Sequence, residues 1–259
     1  MDIIKNMGLS KKLIGGVLLL LLLVSVGIGT VSFYQASSAL QNQVETNIPL
    51  VAKDGANIVT EVLERHLATV SVLAENPDIK SMDWERQKKA LVEMKQENAY
   101  LKQYLGFGIV SPDGSLRVPS GDTSQVGDRS FFKSAMQGNT NLSDVLISKI
   151  LKSPVMVIAT PIRNERGEVT GVLIARLNAE WLSKVTDGIG FGEQGSSYII
   201  DGKGTLIAHG NRDFVLNQTN FIEEAKTNPQ FTDLATMFQR MTRGETGFDE
   251  YPFMGSDRF

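Results

Sequence analysis

The stretch SPVMVIATPIRNERGEVTGVLIARL, residues 153–177, decides the fold. Its two ends, SPVMVIATPI and TGVLIARL, are apolar and rich in β-branched residues, which is the usual composition of β-strands. The polar RNERGEV between them has the composition of a turn. Because strands joined by a short turn pair antiparallel, this stretch predicts a β-hairpin.

Two more segments extend the predicted sheet. FGIVSPDGSLRV, residues 107–118, reads as strand, Pro-Asp-Gly turn and strand, and DVLIS, residues 144–148, reads as a further strand. These segments predict an antiparallel sheet of about five strands, connected mostly by hairpins. After the last strand, Asn178 is expected to cap a short helix, AEWLSKV.

A hairpin later in the chain repeats the hairpin predicted for residues 107–118. IVSPDGSLR, residues 109–117, matches IIDGKGTLI, residues 199–207, at an offset of 90 residues, and the match aligns Gly114 with Gly204. Such a repeat predicts two tandem domains of one architecture. Between them lies the glycine-rich DGIGFGEQG, residues 187–195. It lacks the Gly-Lys-Ser/Thr of a phosphate loop, so a flexible connection is the favoured interpretation.

The N-terminal region predicts a membrane span. LIGGVLLLLLLVSVGIGTV, residues 13–31, contains no charged side chain. At 1.5 Å per residue it covers roughly 30 Å, the thickness of the hydrocarbon core of a bilayer. A cleaved signal peptide usually has a shorter apolar region and a small-x-small cleavage site, which ASSAL at 36–40 matches poorly. Lys5, Lys11 and Lys12 precede the span, so the N-terminus should be cytoplasmic and the rest of the chain outside.

A helical stalk is expected after the span. Pro49 should kink this helix or mark a fresh start. ENPDIKS at 75–81 predicts a break, and a second helix over residues 83–101 should begin with Asp83 as its N-cap. The stalk is also the expected interface of a homodimer. Its apolar or small residues recur at helical spacing: Ile48, Ala52, Gly55, Val59, Val62, His66, Val70 and Leu73.

Composition argues against several classes of function. The net charge is -3, so the basic face that nucleic-acid binding needs is not expected. The absence of cysteine excludes disulfides and thiolate metal sites. His66 and His209 are the only histidines, and there is no Gly-x-Ser-x-Gly sequence. We therefore expect no metal, no cofactor and no enzymatic activity. His66, on the stalk's apolar stripe, is expected to pack in the core.

The stretch GDRSFFKSAM, residues 127–136, has the composition of a binding site. The guanidinium of Arg129 can bind a carboxylate through two parallel hydrogen bonds. Phe131 and Phe132 would lower the local dielectric and stack on a ligand. In the alternative interpretation both rings enter the core and Arg129 is a solvated cap residue. Asp128 could also pair with Arg129 and occupy it.

Three segments together resemble the double Cache (dCache) sensor module of bacterial transmembrane receptors. They are GDRSFFKSAMQG, the run LSDVLISK…SPVMVIATPIRNERGEVTGVLIARLNAEWL, and GSSYIIDGKGTLIAHGN. The resemblance covers residues 34–259. It implies a membrane-distal α/β domain that usually holds the ligand, a smaller proximal domain, a second transmembrane helix, often a HAMP segment, and a cytoplasmic output domain.

The resemblance implies an α/β (α+β) fold with two tandem PAS-like Cache domains whose sheets are antiparallel. TGFDEYPFMGSDRF, residues 246–259, reads as a strand, a turn and the start of another strand. The second domain is therefore expected to be incomplete and the chain to be a fragment. The expected regions are a cytoplasmic N-terminus (1–12), a transmembrane helix (13–33), a helical stalk (34–105), a distal ligand-binding Cache domain (106–186) and a truncated proximal Cache domain (187–259).

For the ligand, the resemblance implies that Arg129 and the following aromatic residues grip a carboxylate. In the amino-acid-binding branch, two carboxylates bind the ligand's ammonium, and here Ser148 and Arg176 correspond to them. A hydroxyl and a cation at these positions favour an anion, such as a dicarboxylate or another small organic acid. Asp144 either binds the ligand or orders its loop. The expected ligand-binding residues are Arg129, Phe131, Phe132, Asp144, Ser148 and Arg176.

Two orientations stay open at this stage. Strand alternation either turns Arg176 away from the pocket, opposite Ala175 and Leu177, or places it on the pocket side with Ile174. Tyr104 either reaches the pocket rim or joins the stalk to the sheet.

The expected function is extracytoplasmic sensing of a small molecule by a transmembrane chemoreceptor. The membrane entry LSKKLIGGVLLLLLLV most resembles that of a methyl-accepting chemotaxis protein. Such a receptor would lie in the bacterial inner or plasma membrane. The alternatives are the sensor of a histidine kinase or diguanylate cyclase, or a non-catalytic module that binds a periplasmic partner protein.

Overall fold

The computed structural model describes residues 9–190 and 195–248. It combines helices with antiparallel sheets, which confirms the predicted fold class. The chain divides into two compact units, Met1–Leu50 and Val51–Phe259. The candidate site lies in the second unit.

The first helix, α1, spans Leu9–Ala74 without interruption. Among the described residues, its segment Leu13–Ala74 is the one helical segment long and apolar enough to cross a membrane. The apolar window of this segment is not buried against other parts of the protein, unlike the core helix of a soluble protein. The predicted candidate span is therefore present as a helix. The helix continues through Pro49, so the fresh start proposed for that residue is not observed.

The predicted break after α1 contains a short helix of its own. This helix, α2, spans Pro77–Lys80 and is capped by Asn76. The next helix, α3, spans Trp84–Glu97. Asp83 is its N-cap, as predicted, and the Asp83 carboxylate accepts a backbone N–H of the first turn at 3.0 Å. A 3₁₀ turn at Ala99–Gln103 then leads into the sheet.

Within the described residues, seven strands form the first sheet. They are β1 (Gly106–Val110), β2 (Ser115–Arg117), β3 (Thr123–Gln125), β4 (Asn141–Leu142), β5 (Leu146–Ile147), β6 (Pro154–Arg163) and β7 (Val169–Asn178). The order is β3-β2-β1-β7-β6-β4, with β5 also on β6, and every pairing is antiparallel. The predicted hairpin of β6 and β7 lies at its centre. The sequence missed β3 and β4, because two or three residues are too short to show alternation.

Two short helices flank this sheet, α4 at Ser130–Met136 and α5 at Trp181–Thr186. The prediction that Asn178 is the N-cap of α5 was wrong. Asn178 still pairs with Val155 of β6, so the strand extends through it, and Glu180 is the N-cap of α5. The Asn178 side chain accepts the backbone N–H of Glu180 at 2.8 Å and so shapes the turn between strand and helix.

Strand β7 separates two hydrophobic cores. Leu173, Ala175 and Leu177 pack in the core that α1, α2 and α3 share with the sheet. Val172 and Ile174 pack in the other core, which contains the apolar residues of α4. Since successive side chains of a strand point to opposite faces, one helical layer covers each face of the sheet.

The repeated hairpins have the same turn. Two strands, β8 (Ile199–Ile200) and β9 (Leu206–Ala208), form the second sheet. Gly114 has a φ of +84° in the first hairpin and Gly204 a φ of +87° in the second. Each donates its N–H to the carbonyl three residues earlier, at 2.8 and 3.0 Å. The left-handed conformation favours glycine, so the match at offset 90 has a structural basis. The division into two separate domains stays a prediction.

Three helices accompany the second sheet: α6 (Arg212–Leu216), α7 (Phe221–Glu224) and α8 (Thr232–Thr242). Another cluster draws its buried side chains from both sheets and α5: Val145, Met156, Ala179, Leu182, Ala208 and Val215. The two sheets therefore share part of their core. Of the strand and turn predicted for 246–259, residues 249–259 lie outside the described residues, as do 191–194 of the predicted flexible connection.

A buried polar contact joins α1 to the entrance of the sheet. His66 is 2% exposed, and its Nδ1 lies 2.6 Å from the hydroxyl of Tyr104. The rings of Trp181 and Tyr100 pack on the imidazole. The packing role of His66 and the stalk–sheet contact of Tyr104 are thus confirmed. Burial, and secondarily the charge of Arg65, lowers the pKa of His66 to about 4.

Stability should fall between pH 7.5 and pH 5 because of His66, which lies outside the apolar run of residues 13–31. The folded state holds a neutral imidazole, while the unfolded state takes up a proton near pH 6.5. The His66 contribution is therefore complete above pH 6.5 and is lost as the pH falls toward 4. Linkage predicts a loss of about 2 kcal/mol at pH 5. Denaturation of the full chain in detergent, followed by tryptophan fluorescence, measures it.

The matched variants are His66→Gln and His209→Gln. In His66→Gln the free energy of unfolding should change little between pH 7.5 and pH 5. In His209→Gln it should still fall by most of the expected amount. A profile that His66→Gln leaves unchanged would contradict this account.

Candidate ligand-binding site

A small cavity lies between α4, the segment 146–150 and the sheet face that carries Ile174. Its volume is about 20 Å³, which is room for a single water molecule. Its lining is mostly apolar: Leu116, Val126, Phe131, Leu146, Ile147, Ile150, Val155, Val157 and Ile174. Its polar lining residues are Arg129, Ser148, Lys149 and Arg176. Four of the six predicted site residues therefore line one cavity.

Helix α4 brings the predicted arginine and one of its two phenylalanines to the cavity. Arg129 is the N-cap residue of α4, and its side chain makes no capping hydrogen bond. That side chain is 29% exposed and lines the cavity instead. Phe131 also lines the cavity, whereas Phe132 is buried in the core beneath α4. Each of the two interpretations therefore holds for one ring. Phe131 faces the cavity, as a binding site requires, and Phe132 packs only in the core.

Arg176 lies on the pocket side of β7. It lines the cavity together with Ile174, while Ala175 and Leu177 face the helical layer. Of the two orientations left open by the sequence, the structure has the pocket-side one. The packing of Leu173 and Leu177 in the core beneath α1 and α3 fixes this choice, because it determines which face every second residue occupies.

The guanidinium of Arg176 is buried and unsatisfied. Arg176 is 6% exposed, and its Nε and Nη1 have no hydrogen-bond partner among the described residues. Gly106, its register partner on β1, makes room for it, since a Cβ at that glycine would lie 2.7 Å from Nη2. Burial lowers the pKa of Arg176, against a smaller opposing effect of the charge of Asp122. Sequence reasoning missed the role of Gly106, which only the strand register reveals.

Ser148 begins the short loop that closes one side of the cavity. It is buried, and its Oγ accepts the backbone N–H of Leu151 at 3.0 Å. Its own N–H donates to the carbonyl of Ser153, and its carbonyl accepts from Lys152. These bonds form a compact turn over residues 148–153. The Ser148 hydroxyl therefore shapes this turn as well as lining the cavity.

Lys149 is a cation that the sequence did not single out. It lines the cavity, and its Nζ donates to the Asp128 carboxylate at 2.8 Å and to the Gln125 carbonyl at 2.7 Å. Asp128 Oδ2 also lies 3.8 Å from Arg129 Nε. The hydrogen bond from Lys149 is the largest cause of the lowered pKa of Asp128. The expected pairing of Asp128 with Arg129 is thus present but is weaker than its pairing with Lys149.

Asp144 does not line this cavity. Its side chain is 65% exposed and lies 3.8 Å from Lys203, in the turn between β8 and β9. Its backbone carbonyl accepts the hydroxyl of Ser143 at 2.7 Å, and Ser143 in turn accepts the N–H of Val157. These contacts order the loop, which was the alternative role considered for this position.

The charged groups of the cavity have one sign. Arg129, Lys149 and Arg176 line it, and no carboxylate from the described residues does. Within residues 9–190 and 195–248, no group of three His, Asp or Glu side chains could hold a metal ion. The arrangement is suited to hydrogen bonding with an anion.

A family model of the Cache domain, dCache_1, matches residues 36–259. The chain belongs to this family. The match covers nearly the whole region that resembles the double Cache module in sequence, so the resemblance is confirmed. The methyl-accepting chemotaxis protein PscA of Pseudomonas syringae pv. tomato is 22% identical over 222 residues. That alignment covers 83% of this chain and 34% of PscA, so the chain spans about a third of the curated relative.

Solved chemoreceptor domains share the Cache fold. The ligand-binding domain of Pseudomonas aeruginosa PctB, in complex with L-Arg, is 20% identical with a TM-score of 0.55, over 68% of this chain and 74% of that one. The sensory domain of Campylobacter jejuni Tlp3, with isoleucine bound, is 16% identical with a TM-score of 0.55, over 74% and 82%. The domain of Pseudomonas fluorescens CtaA, in complex with L-leucine, is 16% identical with a TM-score of 0.56, over 73% and 79%. At these identities the likeness concerns the fold.

Replacing Arg176 by methionine should stabilise the ligand-free protein. The change exchanges a buried, unpaired charge for an apolar side chain of similar length, and we expect a gain of about 1–4 kcal/mol in the free energy of unfolding. Arg163→Met is the matched control, because Arg163 donates to the carbonyls of Gly167 and Gly138 and should lose about 1 kcal/mol. Urea denaturation of both variants measures the difference. A loss of stability in Arg176→Met would contradict the unpaired state of this guanidinium.

Proposed function

We propose that this chain is the sensing region of a bacterial transmembrane chemoreceptor, a methyl-accepting chemotaxis protein, and that its cavity binds a small organic acid or another carboxylate. The observation that carries the ligand class is the buried guanidinium of Arg176, whose Nε and Nη1 find no partner within residues 9–190 and 195–248. A ligand carboxylate would accept hydrogen bonds from Arg176 and from Arg129. Such a contact removes the cost of an unpaired buried donor.

The relatives support sensing, and the cavity differs from what an amino acid requires. The PctB, Tlp3 and CtaA domains were solved with amino acids bound. An amino acid presents an ammonium, which needs an acceptor. Of the polar lining residues, Ser148 offers an oxygen that already accepts an N–H of its own turn, and the other three are cations. This composition favours an acid over an unmodified amino acid.

The apolar helix supports a membrane location. In the proposed arrangement, residues 13–33 cross the inner membrane, with the sensing region outside. Residues 106–186 form the distal ligand-binding domain and residues 187–259 belong to the proximal one. We propose that a homodimer forms through the stalk, but not through the whole predicted stripe, because His66 and Val70 of that stripe are buried within the same chain. The proposed interface is instead the exposed apolar surface of α1 that carries Ile58 (47%) and Val72 (71%).

One segment connects the cavity to the second sheet. Leu146 and Lys149 line the cavity, while the preceding Val145 packs in the core shared by both sheets. The Val145 carbonyl also accepts a hydrogen bond from the side-chain amide of Gln218. A ligand that displaces this segment would shift its contacts with the second sheet. Such a ligand transmits a signal only if it binds the two arrangements unequally.

Ligand binding should be visible as thermal stabilisation of the full chain in detergent. The panel contains organic acids, amino acids, amines and purines. A ligand at 100 times its dissociation constant adds about 2.7 kcal/mol. We expect a carboxylate to stabilise the chain, Arg129→Ala to abolish that shift, and the exposed Arg166→Ala to preserve it. Stabilisation by amines or purines alone would show that the ligand class is wrong.

Dimerisation through the stalk is tested by sedimentation equilibrium of the chain in density-matched detergent. Ile58→Lys combined with Val72→Lys should shift the mass from dimer toward monomer, because it places charges on the proposed interface. Lys89→Glu, on an exposed position of α3, is the control. A monomer at high protein concentration, both with and without the stabilising carboxylate, would refute the dimer.

A further inference from the structure

Three cations surround the cavity, and one carboxylate touches them. Arg129, Lys149 and Arg176 line the cavity. In the part of the chain that the structure describes, the carboxylate that forms an ion pair with any of them is Asp128. Asp122 influences Arg176 only through its charge. The three cations that line the cavity therefore share one ion-paired carboxylate, so positive charge is in excess at the site.

The cationic groups form two ends that differ in burial. Arg176 is 6% exposed, and in the described part of the chain two of its nitrogens have no hydrogen-bond partner. The side chains of Arg129 and Lys149 are 29% and 34% exposed. One end is therefore a buried guanidinium, and the other is a pair of cations near the surface. A single carboxylate at the buried end would leave the outer pair to Asp128.

Asp128 holds the outer end only loosely. Its side chain is 65% exposed, and exposed ion pairs contribute little to stability. A ligand carboxylate can therefore take its place at Lys149 at small cost. The lysine would exchange one carboxylate for another, and the loop that carries it would keep an ionic contact.

The loop of residues 148–153 must move for such a ligand to enter, since the cavity has room for one water. The loop is bonded mostly within itself, through Ser148. Its side-chain hydrogen bonds to the neighbouring β3–α4 region, among the described residues, are those of Lys149 with Asp128 and the Gln125 carbonyl, while Ile150 packs against the apolar core beneath α4. The residue that anchors the loop is therefore also a cation of the cavity.

We infer that the site selects a dianion, in which one carboxylate binds Arg176 and a second replaces Asp128 at Lys149 and Arg129. This inference rests on the proposed function and narrows its ligand class from carboxylates to dicarboxylates. The second carboxylate closes the loop of residues 148–153 over the ligand through Lys149.

The test compares acids of equal length on the full chain in detergent, by isothermal titration calorimetry at pH 7.5. The dianions are malonate, succinate and glutarate, and the monoanions are propionate, butyrate and valerate. 4-Aminobutyrate carries an ammonium in place of the second carboxylate. We expect the best dianion to bind about tenfold or more tightly than its monoanion, as one extra charged hydrogen bond provides. 4-Aminobutyrate should bind more weakly than either.

Lys149→Met supplies the residue-level test. It should reduce the affinity for the dianion at least about fivefold while leaving the monoanion within about twofold, because only the second carboxylate reaches the lysine. Lys152→Met is the matched control, since Lys152 lies in the same loop but does not line the cavity. Tryptophan fluorescence confirms that both variants are folded.

The outcomes separate the two proposals. Equal affinity for dianion and monoanion, or tighter binding of 4-aminobutyrate, overturns the dianion inference while a carboxylate site survives. A Lys149→Met change that weakens dianion and monoanion equally also overturns it. No binding of any of these acids to the folded chain overturns the carboxylate site and the dianion inference together.

Discussion

The buried guanidinium of Arg176 is the constraint on which the site depends. A charge removed from water is costly unless it is paired, and two of this side chain's nitrogens have no partner among the residues that the structure describes. The strand register accommodates it by placing Gly106 opposite, where a side chain would collide with it. Packing on both faces of the sheet must offset this cost. A buried guanidinium of this kind is a strong hydrogen-bond donor for an anion.

Strand β7 connects this local cost to the global fold. Its odd-numbered residues from Leu173 to Leu177 secure the helical layer, and its even-numbered residues face α4 and the cavity. The same alternation that stabilises the sheet therefore sets the position of the arginine. On the helical side, the contact of His66 with Tyr104 attaches α1 to the entrance of the sheet. Within the second unit, the part of α1 that carries His66, the sheet and the cavity are thus successive layers.

The segment from Ser143 to Lys149 gives the cavity a connection to the rest of the molecule. Its first half is hydrogen-bonded to β6 and to Gln218, which follows α6, and its second half lines the cavity. These hydrogen bonds distinguish the segment from a loop that only covers a cavity. Because the core shared by the two sheets includes Val145, displacement of the loop is opposed by packing on the far side. With this geometry, a displacement of the loop at the cavity would also change its packing against the core shared by the two sheets.

The sequence by itself determined the local features. Hydrophobic period, turn chemistry and length specify the apolar helix, the central hairpin, the repeated glycine turns and the Asp83 cap, because each depends on neighbouring residues. It also pointed to Arg129, which stands beside two phenylalanines, and, through the resemblance to the double Cache module, to Arg176. Only the tertiary structure decided which face Arg176 occupies and that Asp144 lies outside the cavity while Lys149 lies within it. These facts depend on strand register and on contacts between distant residues, which no local pattern encodes.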